Sequence, residues 1–311
     1  MKKLQYAGVM VGAAAIAASM FGASAPVGAQ QARAASAAGA AYTFTSIASP
    51  GDPTFTQLLG INQNGVIAGY FGSGADAKHP NKGFVLGLPN TFNAENYPKS
   101  AQTQVIGINN SNDTDGFYVD GAGATHGFTD IKGAFATVDV PGTTFNQLLS
   151  LNNNGAEAGY YQYGPANAPI FVPYVRQADG SFLLLPIANA QATSLNDHGL
   201  VGGFFIDQKG NTHGFLWHSG STKTIDFHGS VSTQVLGVNN LGEAVGTYTD
   251  SKKATHGFTY NTHNNTFAQV DAPGSTSTVV NGVNRLGRLV GFYTVANGNT
   301  IGFVAQSNGA S

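Results

Sequence analysis

One short phrase constrains what this chain can fold into more than any other feature. It reads Gly60-Ile61-Asn62, Gly107-Ile108-Asn109, Ser150-Leu151-Asn152, Ser194-Leu195-Asn196, Gly237-Val238-Asn239 and Gly282-Val283-Asn284. Successive Asn positions are 47, 43, 44, 43 and 45 residues apart. Self-similarity at that period means an array of supersecondary units, and four short strands fill a unit of this length, the size of a propeller blade.

Each copy carries the same parts. An apolar run leads into the Asn, and a turn of the form Asn-x-x-Gly follows, in which Asn folds its side chain onto the backbone and Gly takes positive φ. Asn112 stands where the other copies have Gly65, Gly155, Gly199, Gly242 and Gly287; Asn is the residue next best able to hold that conformation. A second strand has Gly followed two places later by an aromatic, as in Gly69 and Phe71 or Gly246 and Tyr248. Period-two placement puts both on one face, and a close approach by a neighbouring blade is expected at the Gly. The third strand opens with His-Gly-Phe at His126, His213 and His256, with Lys82 and Ile301 in place of His in other copies. The fourth ends in Asp-x-Pro-Gly at Asp139 and Asp271, with Asp226 in a variant. No helical periodicity appears after the N-terminal region.

The chain is out of phase with its repeat. Tyr42 to Gly51 matches a fourth strand, and the last copy stops after its third, at Phe303-Val304. The expected fold is therefore all-β: a six-bladed β-propeller of four-stranded blades spanning 42–305, with the N-terminal strand completing the last blade and removing exposed edges. Residues 306–311 are expected to form a tail.

The N-terminus reads as a secretory signal over 1–29: Lys2 and Lys3, an uncharged run from Ala7 to Gly22, then small-residue cleavage patterns. Residues 30–41, rich in Ala, Gly, Ser and Gln, suit a flexible leader. A secreted or periplasmic protein is expected, with no membrane span once the signal is removed. The chain has no Cys, so stability rests on burial and closure of the fold. It has 42 Gly, 10% charged residues and a formal net charge of −2. That balance disfavours nucleic acid as a partner, and a monomer is expected.

A strand-three to strand-four hairpin tests the His and Asp positions. A two-residue turn at Lys132-Gly133 sets His126 opposite Asp139; the turn at Ser219-Gly220 sets His213 opposite Asp226; centring on His263-Asn264 sets His256 opposite Asp271. Where His is missing, its partner changes too: Lys82 is expected near Glu95 and Asn96, Ile301 faces Ala48, and the third copy loses both. Such concerted change favours a structural pair over a ligand role. Asp120, Asp207 and Asp250, each six places before its His, begin tight loops on the same rim, where Asp commonly caps amides. These nine residues are the candidate binding set.

Asp115 and Glu157 are more unusual, because they sit in second strands where other copies have apolar residues. A carboxylate there is costly to bury unless paired, so the expectation is a locally exposed strand or an acid/base pair kept for use. Other enzyme signatures are missing: there is no arginine cluster with repeated Asp-box turns, no Gly-x-Ser-x-Gly, no paired-His zinc helix and no EF-hand spacing.

The repeated phrase, the His-Gly-Phe triplet and the Gly-x-x-Gly-Tyr strands resemble the bacterial extracellular HAF-repeat proteins over nearly all of the chain beyond the signal, least well at Pro169-Ile170-Phe171. The resemblance implies the fold and export and no particular activity. Two functions stay open: a binding or scaffold module of the cell envelope or medium, holding a glycan or small molecule, and an extracellular polysaccharide hydrolase or lyase using Asp115, Glu157 or a rim His. No cofactor is specified, and a divalent cation held by rim carboxylates and His is a third reading.

Overall fold

A computed structural model describes residues 42–165 and 168–308. The signal, the leader and residues 309–311 lie outside the described residues. Within them every regular element is a strand, so no helix is long and apolar enough to cross a membrane.

The Asn-x-x-Gly turns form as the residues dictate. Asn62 Oδ1 accepts the amides of Asn64 and Val66, both at 3.0 Å. Asn196 Oδ1 does the same for His198 and Leu200 at 2.9 and 3.0 Å. The closing residue has φ of 80° at Gly65 and 64° at Asn112, as an Asn substitute for Gly requires.

Around these turns the strands form six antiparallel four-stranded modules. The chain begins with β1 (Tyr42–Ile47) and then builds module 1 from β2 (Thr56–Ile61), β3 (Ile67–Phe71), β4 (Lys82–Gly87) and β5 (Thr91–Ala94). Module 2 is β6 (Gln102–Ile108), β7 (Thr114–Val119), β8 (Thr125–Ile131) and β9 (Ala134–Val138). Module 3 is β10 (Asn146–Leu151), β11 (Glu157–Tyr163), β12 (Ile170–Arg176) and β13 (Phe182–Leu184). Module 4 is β14 (Ala190–Leu195), β15 (Val201–Ile206), β16 (Thr212–His218) and β17 (Ser221–Ile225). Module 5 is β18 (Ser232–Val238), β19 (Glu243–Thr249), β20 (Thr255–Asn261) and β21 (Thr266–Val270). Module 6 joins β22 (Ser277–Val283), β23 (Leu289–Thr294) and β24 (Thr300–Ser307) to β1, which pairs with β24 from Tyr42↔Ser307 to Ile47↔Gly302. Strand β24 thus runs two residues past the expected end at 305.

The modules are not all separate sheets. Modules 4, 5 and 6 form one 12-stranded sheet, because single parallel bridges join Thr212 to Ser232 and Thr255 to Ser277. The same contact recurs as isolated bridges at Thr125↔Phe145 and Phe55↔Thr300. In all four places the start of one third strand touches the start of the next first strand.

A β-bulge recurs in every first-to-second strand pair, between Leu58 and Gly60 in module 1 and between Val280 and Gly282 in module 6. It turns the Gln57 carbonyl toward Gly69, where a Cβ would sit 2.4 Å from that oxygen. The second-strand Gly therefore accommodates its own module's bulge, not a neighbouring blade as the sequence suggested. Close approach between modules falls on the Gly of the repeated phrase instead: a Cβ on Gly60 would lie 2.5 Å from Ile106 O of the next module.

Apolar packing lies between modules. The Phe of His-Gly-Phe and its equivalents, Phe84, Phe128, Phe215, Phe258 and Phe303, are fully buried, with Tyr174 in that place in module 3. Burying a side chain of this size contributes about 2–3 kcal/mol. One cluster joins module 6 to module 1 through Ile47, Val290 and Val304 against Leu58, Ile61 and Phe84.

Polar links follow the same path at the end where the Asn turns lie. The Asn62 amide donates to Asn109 O at 2.9 Å, Asn152 to Asn196 O at 3.1 Å, Asn196 to Asn239 O at 2.9 Å and Asn239 to Asn284 O at 3.1 Å. Asn284 donates to Asn62 O at 3.2 Å, which ties the last module to the first. In these five copies the repeated Asn fastens the neighbouring turn with its side-chain nitrogen, whereas Asn109 donates to Asp113 of its own turn at 3.1 Å.

Candidate functional site

The nine residues expected on one rim come together as three Asp-His-Asp sets. The hairpin registers match the sequence expectation, with Gly127↔Val138, Gly214↔Ile225 and Gly257↔Val270 placing each His opposite its Asp. His126 Nδ1 lies 2.7 Å from Asp139 Oδ2 and its Nε2 3.5 Å from Asp120 Oδ2. The Asp120 carboxylate also accepts the amides of Ala122 and Ala124 at 2.8 and 2.9 Å. His213 is held by Asp226 and Asp207, and His256 by Asp271 and Asp250, in the same way.

Each imidazole is also stacked. Tyr118 lies over His126 with centroids 5.1 Å apart, and Tyr97 stacks on Tyr118 at 3.8 Å. Phe227, Tyr248 and His256 repeat that column, and Phe205 covers His213. Hydrogen bonding to the Asp226 carboxylate raises the His213 pKa above its ordinary value, and Asp271 does so for His256. The side chain of Asn211, followed by backbone amides, holds Asp207 down to about 2. Both ring nitrogens face a carboxylate in every set, so the sets act as cross-strand clamps. Among the described residues no group of three or more His, Asp or Glu is arranged to hold a metal ion.

The neighbours of Lys82 differ from expectation. Asn96 lies beside it in the register and accepts the Gly83 amide at 3.1 Å, whereas Glu95 turns away and accepts from the Thr114 hydroxyl of module 2. Burial pushes Glu95 up to about 7.

Asp115 and Glu157, in adjacent modules 2 and 3, are close enough for the Glu157 charge to act on Asp115, but neither residue is locally exposed. Asp115 is 0% and Glu157 3% accessible. The space for Asp115 comes from Gly107, whose missing Cβ would sit 2.4 Å from Asp115 Oδ1, and the Gly107 amide donates to that oxygen at 2.8 Å. Oδ2 has no hydrogen-bond partner among the described residues. Burial first, then the Glu157 charge, raises the Asp115 pKa well above the carboxylate range. Burial also raises Glu157, against the pull of Arg176 Nη1 at 2.9 Å. This is a sealed, partly neutralised acid pair.

An open site lies at the other end of the molecule, with the Asn turns and third-to-fourth strand hairpins. A cavity of about 360 Å³ opens between modules 3 and 4. Val175, Leu183, Leu195 and Trp217 give it an apolar wall, and Asn154, Gln177, Asp197, His198 and His218 give it polar groups. Ala156, which lines it, stands where the other modules have the larger Val66, Asp113, Leu200, Glu243 and Arg288. Trp217 is 8% accessible, and its Nε1 has no partner among the described residues. His218 Nε2 lies 3.1 Å from His198 O, as His263 Nε2 lies 3.0 Å from Leu241 O in module 5. His218 is therefore part of a repeated turn contact, whereas the exposed His198 ring has no counterpart in the other turns. Burial works to raise Asp197, but hydrogen bonds from Asn153 and Asn240 outweigh it and leave the acid below its ordinary value.

The sequence marks none of these groove residues as a site; Leu195 stands out only as part of the repeated phrase. Two signals were present: Trp217 is the one Trp in the chain, and His198 interrupts an otherwise Asn-, Ser- and Leu-bearing turn position.

No protein-family model matches the chain, and no curated protein matches it. Solved structures do. A lectin of Aleuria aurantia in complex with Fucα1-6GlcNAc matches with a TM-score of 0.51 at 10% identity, over 81% of this chain and 91% of that one. A gluconolactonase from Xanthomonas campestris gives 0.51 at 12%, over 82% and 87%. The β-propeller domain of the Trilobed protease from Pyrococcus furiosus gives 0.52 at 8%, over 82% and 94%. Likeness at such identities speaks for the fold alone: this chain is an all-β protein whose solved neighbours are β-propellers.

Proposed function

We propose that this protein is an exported binding module, built as a closed six-bladed β-propeller, which takes one sugar unit of a neutral glycan between modules 3 and 4. Pairing of β1 with β24 and the Asn284–Asn62 bond support the closed ring. The signal-like N-terminus and the likeness to HAF-repeat proteins support export.

The groove itself carries the binding reading. A pyranose has an apolar C–H face and a rim of hydroxyls, and the groove offers an indole-backed apolar wall opposite amide and imidazole groups. Its volume falls within the ~300–1,000 Å³ typical of small-ligand sites. The Asp197 charge disfavours anionic ligands there. A lectin stands among the structural neighbours, in keeping with a glycan. Burial of Asp115 and Glu157, and the two carboxylates beside each rim His, favour the binding reading over the hydrolase reading.

Trp217 makes the test direct, because it is the one Trp in the chain. Titration with neutral oligosaccharides should change its fluorescence saturably for one class, and Gln177→Ala and His198→Ala should each weaken that binding about tenfold, the worth of one well-placed hydrogen bond. A panel of neutral glycans that produces no saturable change would remove the proposal.

A further inference from the structure

A second ladder runs through the residue after each repeated Asn. The Gln63 amide donates to Asn110 Oδ1 at 3.0 Å, Asn110 to Asn153 Oδ1 at 2.8 Å, Asn153 to Asp197 Oδ1 at 2.8 Å and Asp197 to Asn240 Oδ1 at 2.8 Å. Arg285 donates to Gln63 Oε1 at 2.9 Å. Five modules thus lend a side-chain oxygen to the preceding turn. The sixth link would run from Asn240 to Arg285, and a guanidinium has no acceptor atom.

The ladder is therefore open at one place, and open in a specific sense. Among the described residues no acceptor meets the Asn240 N–H, and Arg285, exposed, has no ion pair. By its place in the repeat Arg285 brings a donor-only side chain to the junction where the other modules bring an acceptor. We propose that this gap between modules 5 and 6 binds a carboxylate. One oxygen takes the place of the missing side-chain acceptor on the Asn240 amide, and the other pairs with the Arg285 guanidinium.

Surrounding charges set the strength. Arg288, three residues on, directs its guanidinium beside Gly65 of module 1, 2.9 Å from where a Cβ would stand there, at the junction of modules 6 and 1. Two acids near the gap weaken the site: Asp197, which accepts the Asn240 side-chain amide at 2.6 Å, and Glu243, which accepts that of Asn239. A single carboxylate should bind weakly, and a row of them more tightly. A free organic acid and a uronate unit of a polysaccharide offer the same group.

The test is an amide NMR titration of the full secreted chain at fixed ionic strength with acetate, galacturonate, polygalacturonate, galactose and chloride. The Asn240 amide should shift saturably with the carboxylates and not with galactose or chloride. A polymer at least tenfold tighter per uronate than the monomer identifies a polysaccharide ligand; equal affinity identifies a free acid. Arg285→Asn should abolish the shift while raising the Tm and slowing exchange of the Asn240 amide, because the new side chain closes the ladder. An Asn240 response to chloride equal to that with acetate, or undiminished carboxylate binding in Arg285→Asn, overturns the proposal. Trp217 fluorescence reads the neutral-glycan groove separately, so either site can fail alone.

Discussion

His213 and Asp226 face each other across the β16–β17 hairpin with Nδ1 and Oδ2 2.8 Å apart, and neither is fully buried. The bond favours the protonated imidazole, so the folded His213 pKa stands above the unfolded one, as it does for His256 beside Asp271. The stability these contacts contribute is complete below the unfolded His pKa and lost as pH rises through the folded value. Glu95, pushed up to about 7 by burial, has the same sign, because its charged form is disfavoured in the fold.

Stability should therefore fall between pH 6 and pH 8 by on the order of 1 kcal/mol, lowering the Tm by roughly 2–4 °C after solvent screening. Asp207, held to about 2, works in the opposite direction only in strong acid. His213→Gln should flatten part of the fall. A Tm that is constant or rises from pH 6 to 8 would contradict this account.

Gly60 should not tolerate a methyl group. Its Cβ would lie 2.5 Å from Ile106 O, a backbone atom of the next module, so Gly60→Ala is expected to cost about 2–3 kcal/mol by overpacking. Gly121 has nothing within 4 Å of a Cβ, and Gly121→Ala should stay within about 0.5 kcal/mol of the parent. Chemical denaturation of both variants reads the difference, and equal effects would mean that the modules do not approach as described.

Burial and the Glu157 charge both disfavour ionisation of Asp115 and raise its pKa well above the carboxylate range. Asp115→Asn keeps an acceptor for the Gly107 amide and removes the titration. Its stability at pH 8 should equal or exceed that of the parent, with a shallower decline from pH 6. A loss of more than about 1 kcal/mol at pH 8 would show that the ionised carboxylate is needed.

Much of this architecture was legible in the residues themselves. The Asn and Gly of each turn announce a backbone conformation, and a two-residue turn fixes which His meets which Asp, so both follow from local rules. Contacts between modules follow no local rule. Asp115 stood out as a carboxylate in a strand, yet its burial depends on Gly107 of β6 and on the start of β11 in the next module. The second-strand Gly points, in the sequence alone, to a neighbouring module, because a bulge in the paired strand leaves no mark in the sequence. The groove was least legible, since its lining comes from two modules, with Ala156 of one beside Trp217 of the next.

Closure by β1 is the claim on which the ring rests. Its Phe44 packs against Phe303 at 5.2 Å, Ser46 and Tyr293 share a hydrogen bond of 2.9 Å, and Ile47 joins the cluster between modules 6 and 1. The most direct measurement compares thermal unfolding of chains that begin at Tyr42 and at Asp52. Loss of the strand should lower the Tm by roughly 10 °C or more and broaden the transition, the effect of losing several kcal/mol of burial and pairing. Equal Tm and equal cooperativity in the two chains would contradict a ring completed by its first strand.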